Sequence, residues 1–207
     1  MTIILLIRHG ENDSIGKVLA GRTPGIHLNQ KGKDQAERLA DFLQKISLRA
    51  IYSSPLERAC ETAYPTSRLL NLPVITREGL LETDFGAWQG KPFSELRKDR
   101  EWKNIKKISN NLQFPGGESI QDVQNRIVKE MSFICKEHQT KDVIACFTHS
   151  DVIRLGLAYY LNMPLNHYHH LTLDTASIST IDFRKDYTKI IHINHCLDDD
   201  KIRQAFN

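Results

Sequence analysis

The sequence predicts an α/β fold, a three-layer α/β/α sandwich whose central sheet is mainly parallel with an antiparallel edge strand. Three observations carry this. Ile3 to Ile7 and Val143 to Phe147 are short, continuously apolar runs, the form of strands covered on both faces. Segments with helical spacing alternate with such runs through most of the chain, as a parallel sheet with crossover helices requires. Ser177 to Phe183 and Thr188 to Asn194 flank a polar turn and read as a terminal hairpin.

In chain order, Ile3 to Ile7 is a central strand that runs into Arg8-His9. After a Gly-rich loop, Asn29 is placed to cap a helix in which Ala36, Leu39, Ala40, Leu43 and Ile46 share a face. Ala50 to Ser53 is a second strand, and Ser54 with Pro55 reads as the N-cap and first position of the next helix, whose apolar face is Leu56, Ala59, Cys60 and Ala63. Pro73 to Thr76 supplies a third strand. Residues 86 to 117 are charged, contain both tryptophans, and read as an insertion over the sheet edge, with Pro92 opening a helix and Pro115-Gly116-Gly117 closing the segment. Ser119 begins a longer helix with Ile120, Val123, Ile127, Met131 and Ile134 on one face, Asp142 to Phe147 is a buried strand, and a last helix runs from His149 to about Leu161. The acidic end beyond Leu197 is expected to fray.

At 207 residues the chain suits one domain spanning residues 1–207. Hydrophobic residues at 40% and charged residues at 26% are ordinary for a globular protein, and a net charge of +3 is too slight to indicate nucleic acid. The N-terminus lacks the basic start and cleavage site of a secretion signal, and its apolar run is too short to span a bilayer. Cys60, Cys135, Cys146 and Cys196 are scattered with no CxxC pair, as reduced thiols in the cytoplasm would be. Neither a nucleic-acid nor a membrane partner is expected, whereas a homodimer is compatible with the sequence.

In open parallel sheets the usable crevice lies beyond the carboxyl ends of the strands. Arg8-His9-Gly10-Glu11 follows the first strand, Arg58 the second, Glu82 the third, and Thr148-His149-Ser150 the buried run that ends at Phe147. Each alone has an ordinary explanation, since a histidine at a strand end often satisfies a carbonyl and an arginine in a first turn is usually solvated. Two histidines, two arginines and a glutamate at four strand ends form a set that chance rarely gathers on one rim.

Arg8-His9-Gly10-Glu11 resembles the signature of the histidine phosphatase superfamily, which includes the cofactor-dependent phosphoglycerate mutases. The resemblance continues through Gly21-Arg22, Leu28 to Gly32, Tyr52 to Ala59, Glu82 with Phe85-Gly86 and Trp88 to Gly90, Gly116 to Ser119, and the histidine after Thr148, nearly the whole chain. It implies that His9 is a nucleophile forming a phosphohistidine, that Arg8 and Arg58 grip the phosphoryl group, that His149 contacts it from the far side, and that Glu82 handles the leaving-group proton. Asn12, Gly21, Arg22 and Ser150 are expected to bind substrate beside them. The chemistry suits the residue types. A neutral imidazole attacks through one nitrogen only while the other holds the proton, and guanidinium forks pair bidentately with phosphate oxygens. Neither a metal nor another cofactor is required.

Where the family usually has Thr or Ser the chain has Asn12, Ile15 stands where Asn is common, and Ser150 replaces a glycine. Lys91, Arg97, Lys98, Arg100, Lys103, Lys106 and Lys107 outnumber Glu95, Asp99 and Glu101 in the insertion by four, the charge of an ordinary solvated helix or of a lid for an acidic substrate. His167, His169 and His170 fit no common metal spacing. The stretch from Leu81 to Gly90 looks like phosphatase members of the family, and the longer insertion and histidine-tyrosine element of true mutases are absent. The expected function is therefore hydrolysis of a small phosphomonoester. Mutase-type phosphotransfer is the alternative, and a non-catalytic phosphate-binding module stands behind it. Sugar phosphates, phosphoserine, nucleotide-pathway intermediates, a cobalamin nucleotide-loop precursor and phosphoprotein are all compatible substrates.

Overall fold

The computed structural model describes residues 2–104 and 113–197. Six strands, β1 (Thr2–Arg8), β2 (Leu48–Ser53), β3 (Val74–Thr76), β4 (Val143–Thr148), β5 (Ile178–Phe183) and β6 (Thr188–His195), form one sheet in the order β3-β2-β4-β1-β5-β6. The pairs β3/β2, β2/β4 and β4/β1 are parallel, and the hairpin β5–β6 adds antiparallel pairing at one side. In register, Arg8 stands beside Thr148, so the residues that follow each strand, His9 and His149, emerge side by side.

The continuous apolar runs are explained by alternation. Along β1, Ile4 and Leu6 point into one cluster with Ile144, Cys146, Val123, Ile127 and Met131, while Leu5 and Ile7 point into another with Ala145, Phe147, Leu39, Leu43 and Ala63. Successive strand side chains face opposite ways, so a strand buried on both faces must be apolar throughout. Helices α1 (Gln30–Leu43) and α2 (Glu57–Leu70) cover one face, and α5 (Ile120–Glu137) and α6 (Ser150–Tyr160) cover the other. This is the expected three-layer sandwich.

Local signals set the helix starts. The side chain of Asn29 accepts from Gly32 N–H, and Ser119 forms a reciprocal capping box with Asp122. Such caps contribute about 1 kcal/mol each. The Ser54-Pro55 expectation is corrected: α2 starts at Glu57 with Leu56 as N-cap and no side-chain cap bond. The reason is that Ser54 continues β2, its N–H donating to Phe147 O at 2.9 Å, while its hydroxyl meets His149.

Residues 86–104 contain two short helices, α3 (Phe93–Leu96) and α4 (Arg100–Asn104). Leu19 N–H donates to Lys91 O at 3.0 Å and Phe93 N–H to Lys17 O at 2.9 Å, tying this segment to the loop that follows His9. Trp88 and Leu96 are buried with Phe85 and Phe114 in the cluster under α5 and α6. The segment thus lies beside the carboxyl ends of the strands. Lys106, Lys107 and the acidic end after Leu197 lie outside the described residues.

Candidate active site

The turn after β1 is fixed by close packing. Gly10 N–H donates to Thr62 Oγ1 at 2.9 Å, Glu11 N–H donates to Gln35 Oε1 at 2.8 Å, and Asn29 N–H donates to Glu11 O at 3.1 Å. A Cβ on Gly10 would stand 2.7 Å from Gly32 O, so only glycine permits this approach to the start of α1. Held in that turn, His9 is buried, and its Nδ1 lies 2.8 Å from Gly10 O. A carbonyl can only accept, so Nδ1 carries the proton and Nε2 keeps the lone pair. Burial, with the charges of Arg58 and Arg8 added, holds the ring well below the ordinary histidine pKa. The imidazole is neutral and oriented.

Two guanidinium groups flank it. Arg58, 1% exposed in the first turn of α2, donates from Nη2 to Gly21 O at 2.7 Å, and its Nη1 is buried without a partner among the described residues. Arg8 donates from Nη1 to Leu173 O at 2.6 Å and leaves Nε buried, likewise without a partner among the described residues. Unpaired buried donors are costly, and an anion with several oxygens would satisfy them. His149 is fully buried, its ring centroid 5.3 Å from that of His9. Its Nε2 lies 2.8 Å from Ser54 Oγ and its Nδ1 has no partner.

Glu82 reaches the same place by a different device. Thr148 Oγ1 donates to Leu80 O at 2.7 Å, tying the end of β4 to the turn before Glu82. Beyond it, Asp84 N–H donates to Glu118 Oε2 at 3.0 Å and Glu118 N–H donates to Asp84 O at 2.9 Å. Gly86 has φ +52°, and a side chain there would collide with the backbone of Pro115 to Gly117, which explains the glycines on both sides of this contact. Burial first, and then the charge of Asp151, raise the Glu82 carboxyl to a pKa of about 7, against the pull of Thr83 N–H, Arg58 and Arg8.

Arg8, His9, Asn12, Gly21, Arg58, Glu82, Ser150 and Asp151 line one cavity of about 160 Å³, walled on its outer side by Ile15, Val18, Leu19, Phe85 and Phe93. Four of the five expected catalytic residues thus line this cavity, and the ring of the fifth, His149, lies 5.3 Å from that of His9. Asn12 Oδ1 accepts from Ser14 N–H at 3.0 Å, leaving the amide nitrogen to donate. Ser150 Oγ is buried without a partner.

Arg22, expected to bind substrate, does not line this cavity. Its Nη2 pairs with Glu118 at 2.9 Å and its Nε donates to the backbone carbonyl of Glu82 at 2.9 Å. It lines a separate cavity of about 530 Å³, with Arg77, Arg126 and Phe133. Glu118, Asp84 at 3.8 Å and the Glu82 carbonyl hold its guanidinium on that side. Conversely, sequence reasoning missed Ser54, Thr62, Gln35 and Asp151. Thr62 follows Arg58 by one helical turn and Asp151 follows His149 by two residues, and those spacings were the available signals.

Residues 4–195 match the profile of the histidine phosphatase superfamily (branch 1). A bifunctional protein of Mycobacterium tuberculosis is 34% identical over 189 residues, 89% of this chain and 51% of its own, so the chain spans about half the length of the mycobacterial relatives it matches. Phosphoserine phosphatase 1 of Hydrogenobacter thermophilus is 29% identical over 198 residues, covering 94% and 92% of the two chains. A 2,3-bisphosphoglycerate-dependent phosphoglycerate mutase of Thermoplasma acidophilum is 29% identical over 209 residues, covering 100% and 99%. Among solved structures, a histidine-to-alanine variant of phosphoserine phosphatase from Entamoeba histolytica, in complex with phosphoserine, superposes with a TM-score of 0.83 at 30% identity, covering 94% and 97%.

Proposed function

The chain belongs to the histidine phosphatase superfamily, and from that premise we propose that it is a phosphomonoesterase that passes the phosphoryl group of a small phosphorylated metabolite through Nε2 of His9 to water. One observation carries the reading: a neutral ring with its proton turned to Gly10 O faces a small cavity that it shares with two incompletely paired guanidinium groups and a carboxyl of pKa about 7. Nucleophile, charge clamp and acid stand in the protonation states that phosphoryl transfer needs at neutral pH.

In the first step Nε2 of His9 bonds to phosphorus as the ester P–O bond breaks. Arg8 Nε, Arg58 Nη1 and His149 Nδ1 donate to the phosphoryl oxygens, and Ser150 Oγ and the Asn12 amide can add to them. The departing alkoxide takes the proton of Glu82. In the second step the resulting Glu82 carboxylate takes a proton from water, whose oxygen attacks phosphorus as the N–P bond breaks. Phosphate leaves, and both side chains return to their starting states. Atoms and charge balance over the cycle, and Glu82 moves one proton each way.

Phosphoserine is the first substrate to test, because two phosphoserine phosphatases are among the relatives and structural neighbours. Residues 86–104, the described first part of the insertion, are the lid in this reading, and Phe93 is the side chain that meets the substrate's non-phosphate portion. The four free cysteines fit a reducing, cytoplasmic setting. A second reading, mutase-type transfer, is favoured by the Thermoplasma relative, which spans the whole chain. It differs only in the acceptor, a second hydroxyl in place of water.

The experiment is a panel of phosphate esters assayed with the wild type and His9→Ala, together with radiolabelled substrate to trap the protein. The reading expects phosphate release, at least 10³-fold loss in the variant, and an acid-labile, base-stable phosphoprotein in the wild type. Release of inorganic phosphate by the variant at the wild-type rate would sink it. Transfer to a second hydroxyl without phosphate release would replace it by the mutase reading.

A further inference from the structure

Asp151 is a charged group in the cavity that the two steps above do not use. It lies in the first turn of α6, shares the cavity wall with His9, Arg58 and Glu82, and its Oδ1 accepts from Arg154 Nη1 at 3.0 Å. Arg154 is anchored in turn by Nε to Leu171 O at 2.7 Å and lies outside the cavity lining, so the carboxylate is held in place from behind. A fixed anion in a pocket suited to a phosphate dianion repels the substrate. Its presence is therefore unexplained by binding.

The second carboxyl on that wall supplies the explanation. We propose that Asp151 is the positioning residue of the acid step, its tethered negative charge keeping the proton on Glu82 until the ester oxygen departs. This rests on the reading of Glu82 as proton donor.

The groups facing Glu82 are Arg8 from the end of β1, Arg58 from α2, Asp151 from α6 and Tyr168 from the turn over residues 165–170, while Arg22 and Arg126 bind its backbone carbonyl. Arg8 and Arg58 favour the ionised carboxylate, and Asp151 is the anion that opposes them. Tyr168, 8% exposed, has its phenol pushed upward by burial first and then by Asp151, with Glu82 adding a smaller push. Asp151 is paired with Arg154, and its charge favours the protonated form of its cavity neighbour Glu82. Phosphoryl binding is weakened by Asp151, and protonation of the leaving group is gained.

The test is a ¹³C titration of the Glu82 carboxyl in the full-length, glutamate-labelled protein, assigned by the signal missing from Glu82→Gln. In Asp151→Asn the midpoint should fall by about one pH unit, and in Asp151→Glu, which restores the charge, it should return toward the wild-type value. Asp151→Ser provides a second neutral variant should the asparagine protein fail to fold. In parallel, the turnover ratio of an alkyl to an aryl phosphate at pH 8 should drop, by up to roughly tenfold, because the aryl oxygen leaves with little help from an acid. An unchanged Glu82 midpoint in the neutral variants would overturn the proposal, as would equal losses with both esters. The titration does not depend on turnover, so an inactive wild type would sink the enzymatic reading while the titration still decided this one.

Discussion

Ser54 Oγ lies 2.8 Å from Nε2 of His149, and the same oxygen receives Leu56 N–H at 3.4 Å. With the Ser54 hydroxyl donating to Nε2, the neutral ring carries its proton on Nδ1. That N–H is buried with no partner. Burial, and Arg58 beside it, keep the ring well below the ordinary histidine pKa, so it donates while uncharged. A residue that looked in the sequence like a helix cap thus sets the tautomer of the second histidine.

Replacing that hydroxyl tests the relationship. Ser54→Ala should lower kcat/KM by about 10–100-fold, the usual range for removing a partner that orients a functional imidazole. The ¹⁵N signature of His149 should change from a fixed Nδ1–H tautomer to a mixture. An unaltered tautomer with an unaltered rate would remove Ser54 from the mechanism.

The raised pKa of Glu82 makes a stability statement whose sign is definite. A carboxyl at about 7 in the folded chain and 4.5 in the unfolded one is destabilising where the unfolded state has ionised and the folded state holds its proton. The cost is absent below pH 4.5, grows up to pH 7 and is constant above. Glu82→Gln should therefore stabilise the protein at pH 8 by about 1–2 kcal/mol, less than the full shift implies because the half-buried carboxyl is partly screened by water. At pH 4 it should do nothing. Thermal unfolding of both proteins across that range is the check, and activity toward alkyl esters should be lost at every pH.

Arg58 leaves a buried Nη1 unpaired, so an oxyanion in the cavity should stabilise the fold. At a hundred times its dissociation constant, inorganic phosphate should add about 2.7 kcal/mol, or about 5–10 °C in Tm for a chain of this size. Arg58→Met should lose most of that gain while folding normally without phosphate. Equal stabilisation of both proteins by phosphate would place the anion elsewhere.

The fold was legible because burial on both faces writes itself into β1 and β4 as unbroken apolar runs, and because Asn29 and Ser119 announce their helices. The rim was legible for a related reason: chemistry-bearing residues follow those runs directly, and β1 pairs with β4 in a register that sets His9 beside His149. What the sequence could not convey was orientation. Ser54 reads as a cap until β2 is seen to carry it on to Phe147 O, and Asp151, two residues past His149, gains meaning only from the cavity it lines. Arg22 reads as a substrate ligand because its partner Glu118 lies 96 positions away in the chain, beyond any local pattern.

The pairing of Arg22 with Glu118 has a consequence of its own. Arg22 Nε and Arg126 Nη2 both donate to the carbonyl of Glu82, at 2.9 and 3.4 Å, and both pair with Glu118, which also accepts from Asp84 N–H. The cluster grips the backbone on each side of the acid, and neither Arg22 nor Arg126 lines the cavity of His9. A residue that bound substrate would raise KM when removed, whereas one that aims the acid would lower kcat, most for esters whose leaving group needs a proton. Arg22→Ala should therefore reduce kcat for alkyl phosphates about tenfold or more with KM within about twofold, and should act less on aryl phosphates. Glu118→Gln should reproduce this in weaker form, because it loosens the same grip from the other side. A rise in KM with kcat intact for Arg22→Ala would return Arg22 to the substrate, and would mean that its pairing with Glu118 gives way when a phosphate enters.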